Sequence, residues 1–231
     1  MCRRGVLSGT AGGRVTRLAV VAAALLVGAS GARADVVLDQ SFDPMSAPPP
    51  FGFCAGVNGL NDEAQTFTVG VTGTLAQVDV KIIPVGAPQD LVVEVRPTVG
   101  GVPVESDTAV LASVRLPASG IPTSYGFLSV DVRPFAVPVT EGEVLAIVLR
   151  SDGFSGVYCW GGDVTDAYLA GQRFIRNPGT GWSAAGSVGV DLGFRTFVET
   201  SSTAVPGPDG LLLFTIGGLG LLGNGYRRRH W

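Results

Sequence analysis

The chain has 231 residues, 46% hydrophobic and 15% charged, with 34 glycines, 15 prolines and a single histidine. That length suits one domain with flanking segments, or at most two small domains. The histidine is His230, beside the end, so the body lacks imidazole and excludes His-based nucleophile triads and His-ligated zinc.

Charge is distributed unevenly. Residues 35–205 hold eight basic against eighteen acidic groups, a net of −10, while arginines gather near both ends. Such a surface repels phosphate backbones, so no nucleic-acid partner is expected.

Residues 1–34 read as a secretory signal peptide. A basic stretch ending at Arg17 precedes an apolar run, residues 18–27, too short to span a bilayer permanently. Ala32-Arg33-Ala34 then offers small residues at −3 and −1, which puts cleavage between Ala34 and Asp35.

From residue 35 to 201 the apolar period is two. Strands are expected over 36–42, 64–69, 75–82, 91–96, 109–116, 128–133, 144–149, 156–160, 172–176 and 190–198. In 75–82, Ala76, Val78, Val80 and Ile82 point one way and Gln77, Asp79 and Lys81 the other. Residues 144–149 are continuously apolar, as in a strand covered on both faces. Gly- and Pro-bearing turns separate the runs, and no stretch carries a helical stripe. The expectation is an all-β domain, a two-sheet β-sandwich of jelly-roll type. Two stretches read as loops: 43–59, with the Pro48-Pro49-Pro50 run, and 161–170.

Residues 202–231 form a second address. Val205-Pro206-Gly207-Pro208 opens a motif over 205–210, followed by a Gly- and Leu-rich apolar segment over 211–226 and a basic tail over 227–231 with Arg227, Arg228 and Arg229. This order resembles the sorting signal of PEP-CTERM proteins, which exosortases recognise in Gram-negative bacteria. Val205, Pro206 and Pro208 match the Val-Pro-Glu-Pro motif, and Gly207 departs from it. As a helix, 211–226 is about 24 Å long at about 1.5 Å per residue, short of the roughly 30 Å hydrocarbon layer. Its five glycines weaken it further. The arginines favour a cytoplasmic tail end. The resemblance implies transient inner-membrane insertion, an exosortase-type membrane protease as partner, and delivery to the envelope, surface or extracellular matrix. The strand-forming series over 64–198 also resembles a sandwich domain of anchored bacterial surface proteins, a group that brings no established activity.

Three constellations stand out in the mature stretch. Cys54 and Cys159 are an even pair in an exported chain, expected to form a disulfide, with two free thiols as the alternative. Tyr158, Trp160, Tyr168 and Trp182 gather late in the chain among Gly- and Asp-rich loops, where flat rings suit stacking on sugars. Core packing is the competing reading for Trp160, and Trp182 is the better exposed candidate. Asn61-Asp62-Glu63 and Asp163 with Asp166 carry oxygens of the kind Ca²⁺ takes, but neither fits an EF-hand loop and an acidic surface accounts for both. No cofactor, metal or catalytic set is expected. The function expected is an exported, exosortase-processed surface or biofilm-matrix protein with a noncatalytic sandwich that binds exopolysaccharide. The alternatives are a carboxylate-dependent glycan-active enzyme and a purely structural matrix component.

Overall fold

The period-two segments become strands, and the connections between them are turns and loops. The computed structural model describes residues 34–44, 52–185 and 189–201. In chain order the strands are β1 (Ala34–Phe42), β2 (Phe53–Val57), β3 (Asp62–Thr68), β4 (Gly73–Gly86), β5 (Leu91–Val99), β6 (Val102–Pro103), β7 (Ala112–Leu116) and β8 (Gly126–Asp131). They continue with β9 (Pro138–Val139), β10 (Val144–Arg150), β11 (Gly156–Asp163), β12 (Arg173–Arg176), β13 (Ser183–Ala184), β14 (Asp191–Leu192) and β15 (Phe194–Ser201). Among the described residues no helix is long and apolar enough to cross a membrane. The expected signal segment up to Arg33, Val205, Pro206, Pro208, the apolar segment 211–226 and Arg227–Arg229 lie outside the described residues.

The strands form two antiparallel sheets. One runs β1-β15-β4-β11-β14, with β8 and β9 also on β4 and β2 also on β11; the other runs β13-β12-β3-β10-β5-β6, with β7 also on β5. The chain crosses between sheets at most connections, as jelly rolls do: β2 to β3, β3 to β4, β4 to β5, β7 to β8, β9 to β10, β10 to β11, β11 to β12 and β13 to β14. The core lies between the sheets, where Leu145, Ile147 and Leu149 of β10 meet Val78, Val80 and Trp160 from the facing sheet. The result is an all-β sandwich.

Four local expectations are corrected. Residues 53–57, inside the stretch read as loop, form β2, because Ala55 and Val57 point into the core while the backbone pairs with β11. Residues 161–163, also read as loop, extend β11. The strand expected over 109–116 starts only at Ala112, after a 3-10 turn at Asp107–Ala109. The strand expected over 190–198 is broken at Gly193. Its N–H donates to the Gly161 carbonyl (2.8 Å), and its own carbonyl accepts from Lys81 N (3.0 Å) and Trp160 Nε1 (2.8 Å). A Cβ there would press on Lys81 and Pro44.

Polar side chains tie the two sheets together through the interior. Leu192 N donates to Gln65 Oε1 (2.8 Å), Gln65 Nε2 donates to Asp191 Oδ1 (3.3 Å), and Tyr168 N donates to Asp191 Oδ2 (2.8 Å). Beside them Arg173 donates to both oxygens of the buried Glu63 (2.8 and 2.9 Å). Buried polar groups hold a sandwich only when satisfied, and these are.

Burial raises the Asp191 carboxyl above its ordinary 3.8; Asp166 and Asp163 add to the rise, against the hydrogen bonds from Tyr168 and Gln65. The protonated form therefore binds better in the fold than in the unfolded chain. Its stabilising contribution is complete below the ordinary value and disappears as pH rises through the raised folded value. Asp191→Asn is expected to remove that slope: compared with the variant, the wild type loses stability as pH climbs from acid toward neutrality. Denaturant melts of both across that range check it, and parallel stability curves would refute it. The amide also points a donor at Gln65 Nε2, so the slope, and not the offset, is the readout.

Candidate functional site

The outer face of the β3-containing sheet is built by strand alternation. Register pairs Ala64 with Val148 and Phe174, Asp62 with Arg176, Ala146 with Arg96, and Val148 with Glu94. These residues share one face, while Phe67, Leu145 and Ile147 point into the core. Ala64, Ala146, Val148 and Phe174 make a second, small apolar cluster, and Trp182 packs on it.

Around that cluster runs an arginine–carboxylate network. Arg96 is fully buried and donates to Glu94 Oε2 (2.7 Å), to Asp107 Oδ1 (2.9 Å), and to the carbonyls of Val104 (3.0 Å), Glu105 (2.9 Å) and Ser106 (3.3 Å). It thereby clamps the 104–107 loop onto the face. Arg150 reaches Asp62 (3.4 Å), Glu94 (3.3 Å) and Asp107 (3.8 Å). Partial burial opposes its charge, but those three carboxylates outweigh that and raise its pKa. The Asp107 carboxyl is held below its ordinary value by the Arg96 hydrogen bond first, then by Arg150. Arg176 donates to Asp62 Oδ2 through Nη2 (2.7 Å) and Nε (3.2 Å), and its guanidinium lies 4.8 Å over the Trp182 ring.

At the end of this face opens a pocket of about 350 Å³. Three strand ends frame it: the 58–61 turn before β3, residues 150–152 leaving β10, and the 176–180 turn leaving β12. The last is built on Pro178 and on Gly179 at φ 78°, with Thr180 N donating to the Asn177 carbonyl (3.0 Å), the type II pattern that needs glycine third. Ser151 lines the pocket with its side chain buried, and its Oγ has no hydrogen-bond partner.

The aromatic candidates are redistributed by the fold. Trp160 is fully buried with its indole N–H on the Gly193 carbonyl, and Tyr158 is fully buried with its hydroxyl donating to the Gln89 carbonyl (2.7 Å). Tyr168 is buried against Phe42 and Phe194, its hydroxyl is 3.2 Å from Gln40 Oε1, and burial pushes its pKa up to about 12. These three rings are core, so they are corrected as sugar platforms. Trp182 is half-buried and engaged by Arg176 and the small cluster; it braces the pocket wall instead of presenting an open ring.

Cys54 and Cys159 are joined across β2 and β11 with Cα atoms 5.1 Å apart. Ala34 and Asp35 open β1, paired with Ser201 and Thr200. Of the oxygen donors, Asp62 and Glu63 are each taken by arginine, and Asp163 caps Thr165 N (2.9 Å). Sequence reasoning missed Arg150, Ser151 and Arg176 as a group. Asp62 was singled out, but nothing local joined it to them.

The fold and pocket together define an all-β sandwich domain with a polar recess at one end. No family model matches the chain, and no curated protein does. Among solved structures it is similar to the cysteine protease and lectin-like domains of Cwp84, a surface layer associated protein of Clostridium difficile, at 17% identity and a TM-score of 0.43 over 62% of this chain and 32% of that one. It is also similar to the clostridial cysteine protease Cwp84 after propeptide cleavage, at 16% identity and 0.47 over 72% and 41%. The chain thus spans less than half the length of either. The activities named are those of the clostridial protein.

Proposed function

We propose that this chain is an exported, exosortase-processed surface or matrix protein whose sandwich holds polysaccharide in the polar pocket without turning it over. The carrying observation is where the pocket lies relative to the chain ends. Ala34 pairs with Ser201, so the flanking segments join the domain at one corner. That corner adjoins the start of β4, where Thr74 pairs with Glu199, a few residues beyond Thr68 at the end of β3. The pocket sits at the opposite end of β3, beside Asp62. Seven residues of strand separate the two, roughly 23 Å at about 3.3 Å per residue. A mature domain tethered through the segment after Ser201 would present the recess outward.

The Val-Pro-Gly-Pro motif, apolar segment and arginines support the sorting part of this reading. The pocket's amides, guanidiniums and hydroxyl support the binding part, since such groups orient hydroxylated ligands. In a test, the native host's extracellular protein is expected to begin at Asp35 and to lack Arg227–Arg229 by mass spectrometry. The same protein is expected to be retained on host exopolysaccharide without releasing reducing ends. Intact terminal arginines would overturn the sorting step. Release of reducing ends would favour the glycan-active enzyme, with pocket carboxylates such as Asp62 and Asp152 as its acids.

A further inference from the structure

The pocket has a charge balance that selects among sugars. Resting on the polysaccharide reading above, we infer that the recess takes a neutral, hydroxyl-rich sugar unit and discriminates against uronic acids. Arg150, Arg176 and Asp62 line the recess, and the ion-pair network continues outside its lining through Arg96, Glu94 and Asp107, with each arginine contacting at least one of the three carboxylates. A ligand carboxylate reaching Arg150 or Arg176 would have to sit beside Asp62 or Glu94, which already hold those guanidiniums, and the crowded like charges repel. Asp152 also lines the pocket, where Arg115 at 3.4 Å offsets part of its charge, and the −10 carried by residues 35–205 adds like-charge repulsion.

A hydroxyl faces no such penalty, because it both donates and accepts. The arginine contacts to Asp62 all go to Oδ2, which leaves Oδ1 as an acceptor for a sugar O–H. Asn61 and Asn177 line the same recess, and their amides offer both donors and acceptors. Ser151, a residue of the pocket lining, carries a buried hydroxyl without a hydrogen-bond partner, a group of the kind that calls for one. Leu60, largely exposed, and Pro178 supply apolar surface for the C–H face of a ring. At about 350 Å³ the recess is at the small end of ligand pockets, which run from roughly 300 Å³, so it suits a short stretch or chain end.

The test immobilises the full chain and compares dextran, mannan and galactan with polygalacturonate, alongside host exopolysaccharide. At least one neutral polymer is expected to bind about tenfold more tightly than polygalacturonate, with little loss on adding salt. Ser151→Ala is expected to keep the melting temperature and weaken the neutral polymer about tenfold. Asp62→Asn, checked for folding by its melt, frees Arg176 and removes one of the three carboxylates on Arg150, and is expected to shift preference toward polygalacturonate. Preference for polygalacturonate by the wild type overturns the selectivity and leaves polysaccharide binding standing, as does retention of host polymer alone. Absence of retention on every polymer overturns both. Unchanged neutral binding in both folded variants overturns the assignment to this pocket.

Discussion

Reducing the Cys54–Cys159 bridge in the full chain is expected to lower its stability by about 4–5 kcal/mol. The bridge closes a loop of 105 residues, and cross-linking so long a segment removes much of the unfolded chain's freedom. The native geometry already accepts it: the Cα atoms, 5.1 Å apart, lie on paired strands and within the ordinary span. The folded state depends on it too. β2 has β11 as its one described strand partner, and β2 contributes Ala55 and Val57 to the core. For a chain of this size each kcal/mol moves the melting temperature by about 2–4 °C, so a drop of roughly 10–15 °C is expected. Melting the same preparation with and without reductant measures it, free of any side-chain change. A shift within a couple of degrees would show that β2 is held by pairing alone.

Arg96→Ala is expected to cost about 3–5 kcal/mol, the range for removing one member of a buried ion pair. The guanidinium is fully buried and serves five acceptors, three of them loop carbonyls. Its loss strands the nearly buried Glu94, which keeps only the longer 3.3 Å contact to Arg150, and unclamps the 104–107 loop. Urea unfolding measures the cost. Native-state hydrogen exchange measures the second effect, since the amides of Val104 and Leu111, bonded to the Pro97 and Val95 carbonyls, should exchange faster in the variant. Replacing Glu94 and Arg96 together by apolar residues should recover part of the stability and none of the loop protection. A single-variant loss below about 1 kcal/mol would mean that water or Arg150 takes over the clamp.

The sandwich was legible because alternation is a local property. Val78 and Val80 sit on one face of any extended strand and Gln77 and Asp79 on the other, whatever the strand pairs with, and 75–82, 91–96 and 144–149 all lie within observed strands. The same logic places Tyr158 and Trp160 on one face of β11. It does not say which face is inside; packing of one sheet on the other decided that, and turned three candidate sugar platforms into core. β2 escaped because five residues beside a proline run carry too little pattern, and its existence depends on β11, 105 residues away by the cysteine spacing.

The pocket needed the fold for the same reason. Asp62, Arg150 and Arg176 each end or begin a strand legible in sequence, yet they meet only because the sheet order sets β10 and β12 on either side of β3. Composition alone determined that residues 35–205 are acidic and without histidine, and the order of motifs determined the expected addresses at both ends. Which carboxylates are neutralised, and so what the recess can accept, was decided by antiparallel register, a long-range pairing that no window of neighbouring residues contains.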